Sequence, residues 1–213
     1  MTSFAVPLAS VHFPNCDDLN HSLRELFLKK ETGGPKYANP SPFTHRNEAL
    51  FESRFDLFDW PDPEVSRLRD FCWAAVYRLI ADLTSVELAS LSRLHIAHSS
   101  WFHITRSGGY FGIHNHPMSA WSGVYMVCQE GDEGNKDSGL LTLVNPHAPQ
   151  AMYLDPANHQ LKQPYSMGNL TFRLKPGQLL LFPSWLMHEV TPFTPGASGL
   201  RVTVAFNTWF RQH

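Results

Sequence analysis

The sequence predicts a mainly β domain, a sandwich or barrel of short strands fronted by two helices. Three observations carry this reading. From Arg93 onward apolar residues recur with a period of two, the spacing of strands with one buried face. Turn-forming clusters interrupt that stretch: Ser107-Gly108-Gly109, the glycine-rich span 131–139, Asn145-Pro146, Lys175-Pro176-Gly177 and Thr194-Pro195-Gly196. Before Arg93, two segments hold their apolar residues at helical spacing instead.

Residues 1–16 read as an extended arm, with Phe4, Val6 and Leu8 alternating with smaller or polar neighbours. The first helix is expected over 17–30. Asp17 or Asp18 caps it, Leu19, Leu23, Leu26 and Phe27 form its apolar stripe, and Thr32-Gly33-Gly34-Pro35 stops it. The span 37–60 is irregular because Pro40 and Pro42 block a helix; Phe51, Phe55, Leu57 and Phe58 are expected to pack it onto the body. A second helix over 63–83 has Asp62 as cap, Pro63 at its first position and Glu64 complementing the dipole. Cys72 lies in that helix's apolar stripe and reads as a core thiol. Strands are then expected over 93–106, 110–116, 121–127, 140–144, 170–174, 179–182, 188–190 and 200–209. The insert 146–168 has weak periodicity and reads as a loop over a cavity mouth, and 129–138 as a solvated hairpin tip.

Length and composition fit one domain over 1–213, with an arm and helices (1–92) packed on a β core (93–213). Hydrophobic residues make up 43% of the 213 positions, enough for a sizeable core. A net charge of −2 gives no electrostatic footprint for nucleic acid or an anionic membrane. No stretch approaches the roughly 18 apolar residues of a membrane span. Three scattered cysteines argue against a disulfide framework and for a reducing, cytoplasmic compartment, and the N-terminus lacks the basic and apolar regions of a signal peptide.

The chemistry gathers around His114-Asn115-His116-Pro117. In an extended segment residues i and i+2 share a face, so both imidazoles can aim at one point. Two ligands do not make a metal site, and in a chain with 12 histidines such a pair also arises by chance. A third candidate is His188, which follows Phe182-Pro183-Ser184-Trp185 and opens a short strand. Thirteen positions later comes Arg201, in Arg-Val-Thr-Val-Ala-Phe-Asn. Arg201, Thr203, Ala205 and Asn207 share one face of that strand, and Val202, Val204 and Phe206 the other. A guanidinium and a hydroxyl two residues apart suit a carboxylate.

Together His-x-His-Pro, Phe-Pro-Ser-Trp-x-x-His and the following Arg resemble the iron(II)/2-oxoglutarate-dependent oxygenases. Trp101-Phe102, Ser122-Gly123-Val124-Tyr125 and the Arg…Phe-Asn terminus strengthen the likeness, which covers about 99–210. It implies a double-stranded β-helix, or jelly roll, with N-terminal bracing helices. It further implies that His114, His116 and His188 bind Fe(II), and that Arg201, helped by Thr203 or Tyr125, binds the distal carboxylate of 2-oxoglutarate. Dioxygen and a small-molecule or peptide substrate complete the reaction; Trp101, Trp121, Trp185 and Asn207 are candidate pocket walls. One departure stands out: His116 occupies the position where such sites usually carry a carboxylate. A three-imidazole site also suits a cupin-like thiol dioxygenase or a zinc hydrolase without 2-oxoglutarate, and a non-catalytic jelly roll could bind a small acid in the same cavity. Of the remaining histidines, one of His95, His98 and His103 is expected to line the cavity, while His147 and His159 are expected to be exposed. A homodimer is compatible with the sequence.

Overall fold

In a computed structural model, residues 5–131, 134–147, 155–196 and 198–211 are described. Their strands form two antiparallel sheets. The larger has the order β1-β8-β5-β10-β3-β2, built from Ala9–His12 (β1), Leu50–Glu52 (β2), His95–Thr105 (β3), Trp121–Gln129 (β5), Gln178–Pro183 (β8) and Arg201–Arg211 (β10). The smaller has the order β4-β9-β6-β7, from Phe111–His114 (β4), Leu141–Leu143 (β6), Leu170–Phe172 (β7) and His188–Val190 (β9). Helices Asp17–Glu31 (α1), Pro63–Leu83 (α2) and the short Leu88–Leu91 (α3) complete it.

The period-two reading is borne out residue by residue on the larger sheet. One face packs on α1 and α2: Phe102, Ile104, Tyr125, Val127, Val202, Val204 and Phe206 share a core with Leu19, Leu23, Phe27, Leu68, Cys72 and Val76. Cys72 is fully buried there, as its stripe position implies. The opposite face looks at the smaller sheet, and Met126, Leu141, Leu143, Leu180, Phe182 and Leu186 fill that second core. Ser122-Gly123-Val124-Tyr125 acquires a physical reason here. Gly123 pairs with Phe206 across β5 and β10, and a Cβ at Gly123 would sit 2.2 Å from that ring.

Local differences have local causes. The cap position of α1 is Cys16, and Asp17 and Asp18 fall in the first turn, where they complement the dipole. Asp62 caps α2 through its backbone, its carbonyl accepting from Val65 and Ser66. The alternation at 4, 6 and 8 precedes the strand, which is Ala9–His12; Val6 and Leu8 pack on the inter-sheet core, and Phe4 lies outside the described residues. The irregular span hides β2, which extends the larger sheet. Leu57 and Phe58 are buried as expected, whereas Phe55 is half exposed.

Candidate metal centre

The site lies between the sheets, where the three histidines meet. His114 ends β4 and stands directly opposite His188, which opens β9. The register of this pair shifts between Phe111 and His114, so β4 carries an extra residue there. Such bulges re-aim side chains, and this one brings the two imidazoles to 4.2 Å between ring centroids. His116 lies just past the strand end. Its backbone N–H donates to the Ser184 carbonyl at 2.8 Å, which ties it to the turn before β9. Its ring is 4.9 Å from that of His114 and 5.3 Å from that of His188. One ring nitrogen from each histidine lies within 4.8 Å of the others.

Hydrogen bonds decide which nitrogens are available. Nδ1 of His114 is 2.8 Å from the Gly112 carbonyl, and Nδ1 of His188 is 2.8 Å from the Leu186 carbonyl. A carbonyl only accepts, so each Nδ1 carries the proton and each Nε2 keeps its lone pair. Burial also favours the neutral ring. It lowers His114, takes His116 down to about 4 and His188 to about 3, with the neighbouring imidazoles adding to the effect. Three neutral imidazoles with converging lone pairs fit a divalent transition metal, and metal-bound histidines characteristically donate their other N–H in this way.

The cavity beside the triad is lined on β10 by Arg201, Thr203, Ala205 and Asn207 and on β3 by Trp101 and His103. Arg201 and Thr203 are each 2% exposed, so the guanidinium meets any ligand largely stripped of water. Of the three candidate histidines on β3, it is His103 that lines the cavity; His98 pairs with Asp59, and His147 and His159 are exposed.

Tyr125 requires a correction. It sits on the helix-facing side of β5, fully buried, and its hydroxyl donates to Asn20 Oδ1 of α1 at 2.7 Å. Strand alternation places Ser122 and Val124 toward the cavity and Tyr125 away from it, so Tyr125 cannot assist Arg201. Trp121 follows the same parity and packs on the helix-side core, and Trp185 is half exposed.

One group was not visible from sequence. Glu52 of β2 is 4% exposed; its Oε2 lies 3.0 Å from His103 Nε2 and its Oε1 2.8 Å from an Arg46 nitrogen, while Asn39 donates to Oε1 at 2.6 Å. Burial alone would raise Glu52, but the His103 and Asn39 bonds and the Arg46 charge outweigh it and hold the carboxyl below its ordinary value. Burial lowers His103, and the Glu52 carboxylate beside it raises it in part. The Trp101 indole nitrogen lies 3.1 Å from the same Nε2. Glu52 sits in a three-residue strand, too short for periodicity to reveal.

Residues 99–207 match the family model described as "Putative 2OG-Fe(II) oxygenase", and that span is just over half the chain. The chain belongs to that family. Its cofactors are therefore iron(II) and 2-oxoglutarate, and its fold is the double-stranded β-helix. Solved structures agree on the fold. A Pseudomonas putida prolyl-4-hydroxylase is 16% identical, with a TM-score of 0.57 over 97% of this chain and 92% of its own. A Trichoplax adhaerens prolyl hydroxylase, solved with a hypoxia inducible factor peptide, is 14% identical, with a TM-score of 0.59 over 95% and 83%. HygX from Streptomyces hygroscopicus, solved with nickel, 2-oxoglutarate and hygromycin B, is 11% identical, with a TM-score of 0.54 over the same shares. No curated protein matches the chain. Among the described residues, no helix of this oxygenase is long and apolar enough to cross a membrane.

Proposed function

We propose that this oxygenase holds iron(II) through His114, His116 and His188, anchors 2-oxoglutarate on Arg201 and Thr203, and hydroxylates a small-molecule or peptide substrate. The convergence of three neutral imidazoles, two of them pinned through Nδ1, supports the reading most directly. Bound iron and 2-oxoglutarate supply the activation of dioxygen; the chain supplies position and exclusion of water. The Gly112 and Leu186 carbonyls hold His114 and His188 in the ligand tautomer. Phe111 and Phe182, both buried, pack against His114 and His188 and keep that side dry. Arg201 offers paired N–H donors to the distal carboxylate, and the Thr203 hydroxyl adds a third. We further propose that 1–92 and 93–213 act as one domain, with the helices bracing the sheet that carries Arg201.

Anaerobic titration of the Fe(II) protein with 2-oxoglutarate, followed by the metal-to-ligand absorption band, tests the reading. A saturable band is expected, with succinate release on admitting oxygen and a substrate. Most bound iron should be lost in His114→Ala and in His188→Ala while circular dichroism stays native. A wild type without a band removes 2-oxoglutarate from this site, and full iron in both variants removes the triad. The carboxylate usual at the position of His116 makes that residue the sharpest case: His116→Ala with full iron would leave a two-histidine site.

A further inference from the structure

One row of paired residues crosses the smaller sheet. His114 stands opposite His188, His188 opposite Leu143, and Leu143 opposite Leu170. Directly paired residues point to the same face, so two of the three proposed ligands and two leucines share one surface. Neighbouring strands lie about 4.8 Å apart, which puts Leu170 about 10 Å from His188. The leucines open onto a second cavity of about 350 Å³, against about 30 Å³ for the one beside the triad. Among the described residues the two cavities have no lining residue in common. The larger has the size of a small-molecule site, typically about 300–1,000 Å³.

The walls of this second cavity come from three directions: Val6 and Leu8 of the N-terminal arm, Leu143 and Leu170 of the sheet, and the insert that begins at Asn145. Hydrogen bonds fasten the insert. Asn145 Nδ2 donates to the Ser166 carbonyl at 3.0 Å, and the Asn145 backbone N–H donates to Asn169 Oδ1 at 3.1 Å. Gln163 Nε2 donates to the Ser166 hydroxyl at 2.6 Å. Leu186 closes the side toward the metal centre, and its carbonyl is the one that holds His188 Nδ1. Among the described residues no Asp, Glu, Lys or Arg lines the cavity. A charged group entering it would leave its hydration without an ionic partner, whereas an alkyl or aryl group loses nothing polar. Enclosure on three sides suits a molecule that enters end-on rather than a chain passing through.

We infer that this cavity receives the prime substrate, and that the substrate is a small molecule whose bound end is a neutral alkyl or aryl group. The inference rests on the reading of the triad as the metal site: the reacting C–H lies at the metal, and the apolar remainder lies across Leu143 and Leu170.

The test titrates N-methyloctanamide, a neutral probe, into the Zn(II) protein by NMR, beside octanoate and octylamine as charged probes of similar length. The amide should bind saturably, and both charged probes at least about tenfold more weakly, because each would be buried without a partner. The capped peptide acetyl-Ala-Leu-Ala-amide should bind more weakly than the octyl amide; tighter binding overturns the small-molecule assignment. Gly168 lines the cavity, and a Cβ there meets no atom within 4 Å, so Gly168→Trp adds a ring without displacing a neighbour. Gly168→Trp, and independently Leu170→Trp, should abolish saturable binding of the amide while metal content and thermal midpoint stay native. Manganese(II) in place of zinc should broaden the resonances of the bound amide to an extent that places it within about 10 Å of the metal, two strand spacings. Charged probes that bind as tightly as the amide overturn the inference. So does unchanged amide binding in both variants, or an amide that manganese leaves sharp. A wild type that holds no metal contradicts the triad instead, and the probe series and the two variants, which need no metal, then still decide the cavity.

Discussion

The two faces of the larger sheet are made from the same strands and share almost no chemistry. The helix side of β3, β5 and β10 carries Phe102, Ile104, Tyr125, Val202, Val204 and Phe206, all fully buried. The cavity side carries His103, Ser122, Arg201, Thr203 and Asn207, buried to nearly the same degree. Burial therefore does not distinguish the faces; the kind of group buried does. Apolar side chains lose nothing polar on leaving water and gain about 25 cal/mol per Å². A guanidinium, an amide and an imidazole lose hydration, and they recover it only from partners or from a ligand. The helix face is thus organised for stability and the cavity face for binding, one residue apart along each strand.

The largest expected effect is on the helix side. Phe102 is fully buried and stacks on Phe27 of α1 with centroids 4.3 Å apart and planes 5° apart. Phe102→Ala should cost about 3–5 kcal/mol of stability, the range for emptying an aromatic core site. Chemical denaturation gives the loss, and 2-oxoglutarate affinity in the remaining folded protein should match wild type. A large fall in that affinity at native iron content would show that the faces are coupled through the sheet.

On the cavity side the expectation reverses. Arg201→Ala should retain iron and weaken 2-oxoglutarate by about 2–5 kcal/mol, the range for truncating one partner of a buried charge pair. Arg201→Lys should recover only part, because a point charge cannot reproduce the guanidinium fork. The anaerobic absorption band reads both variants. If Arg201→Ala binds as wild type does, the distal carboxylate is held elsewhere and the cavity face loses its principal anchor.

This division explains what was legible in the sequence. Alternation in 201–207 separates the faces without any structure, because a strand leaves no other choice, and Pro63–Leu83 is readable because caps and stripe agree. That His114 and His188 could serve one metal is an expectation of the sequence; their pairing across β4 and β9 and the extra residue in β4 are not legible there, since a bulge has no periodic signature. Glu52 was missed because three residues are too few to show a period and its partners lie at positions 39, 46 and 103. The resemblance implies a cosubstrate role for Tyr125, whereas its parity with Gly123, which faces Phe206 in the structure, places it on the helix side.

Tyr125 also provides the finest test of the comparison, since it is a polar group on the apolar face. Its hydroxyl donates to Asn20 Oδ1, and Asn20 is itself 7% exposed on α1. The bond joins sheet to helix inside the main core, where burial raises the hydroxyl far above its ordinary pKa and keeps it a neutral donor. Tyr125→Phe removes the donor, keeps the ring and leaves the Asn20 oxygen buried without its partner. The expected cost is about 1–3 kcal/mol, the desolvation penalty of one stranded acceptor. Tyr125→Phe with Asn20→Leu should recover much of it, because replacing both partners by apolar groups removes the unmet need. Neither variant should change 2-oxoglutarate affinity. A weakened band in Tyr125→Phe, with stability unaltered, would return the hydroxyl to the cavity and contradict the strand parity on which the division of the sheet rests.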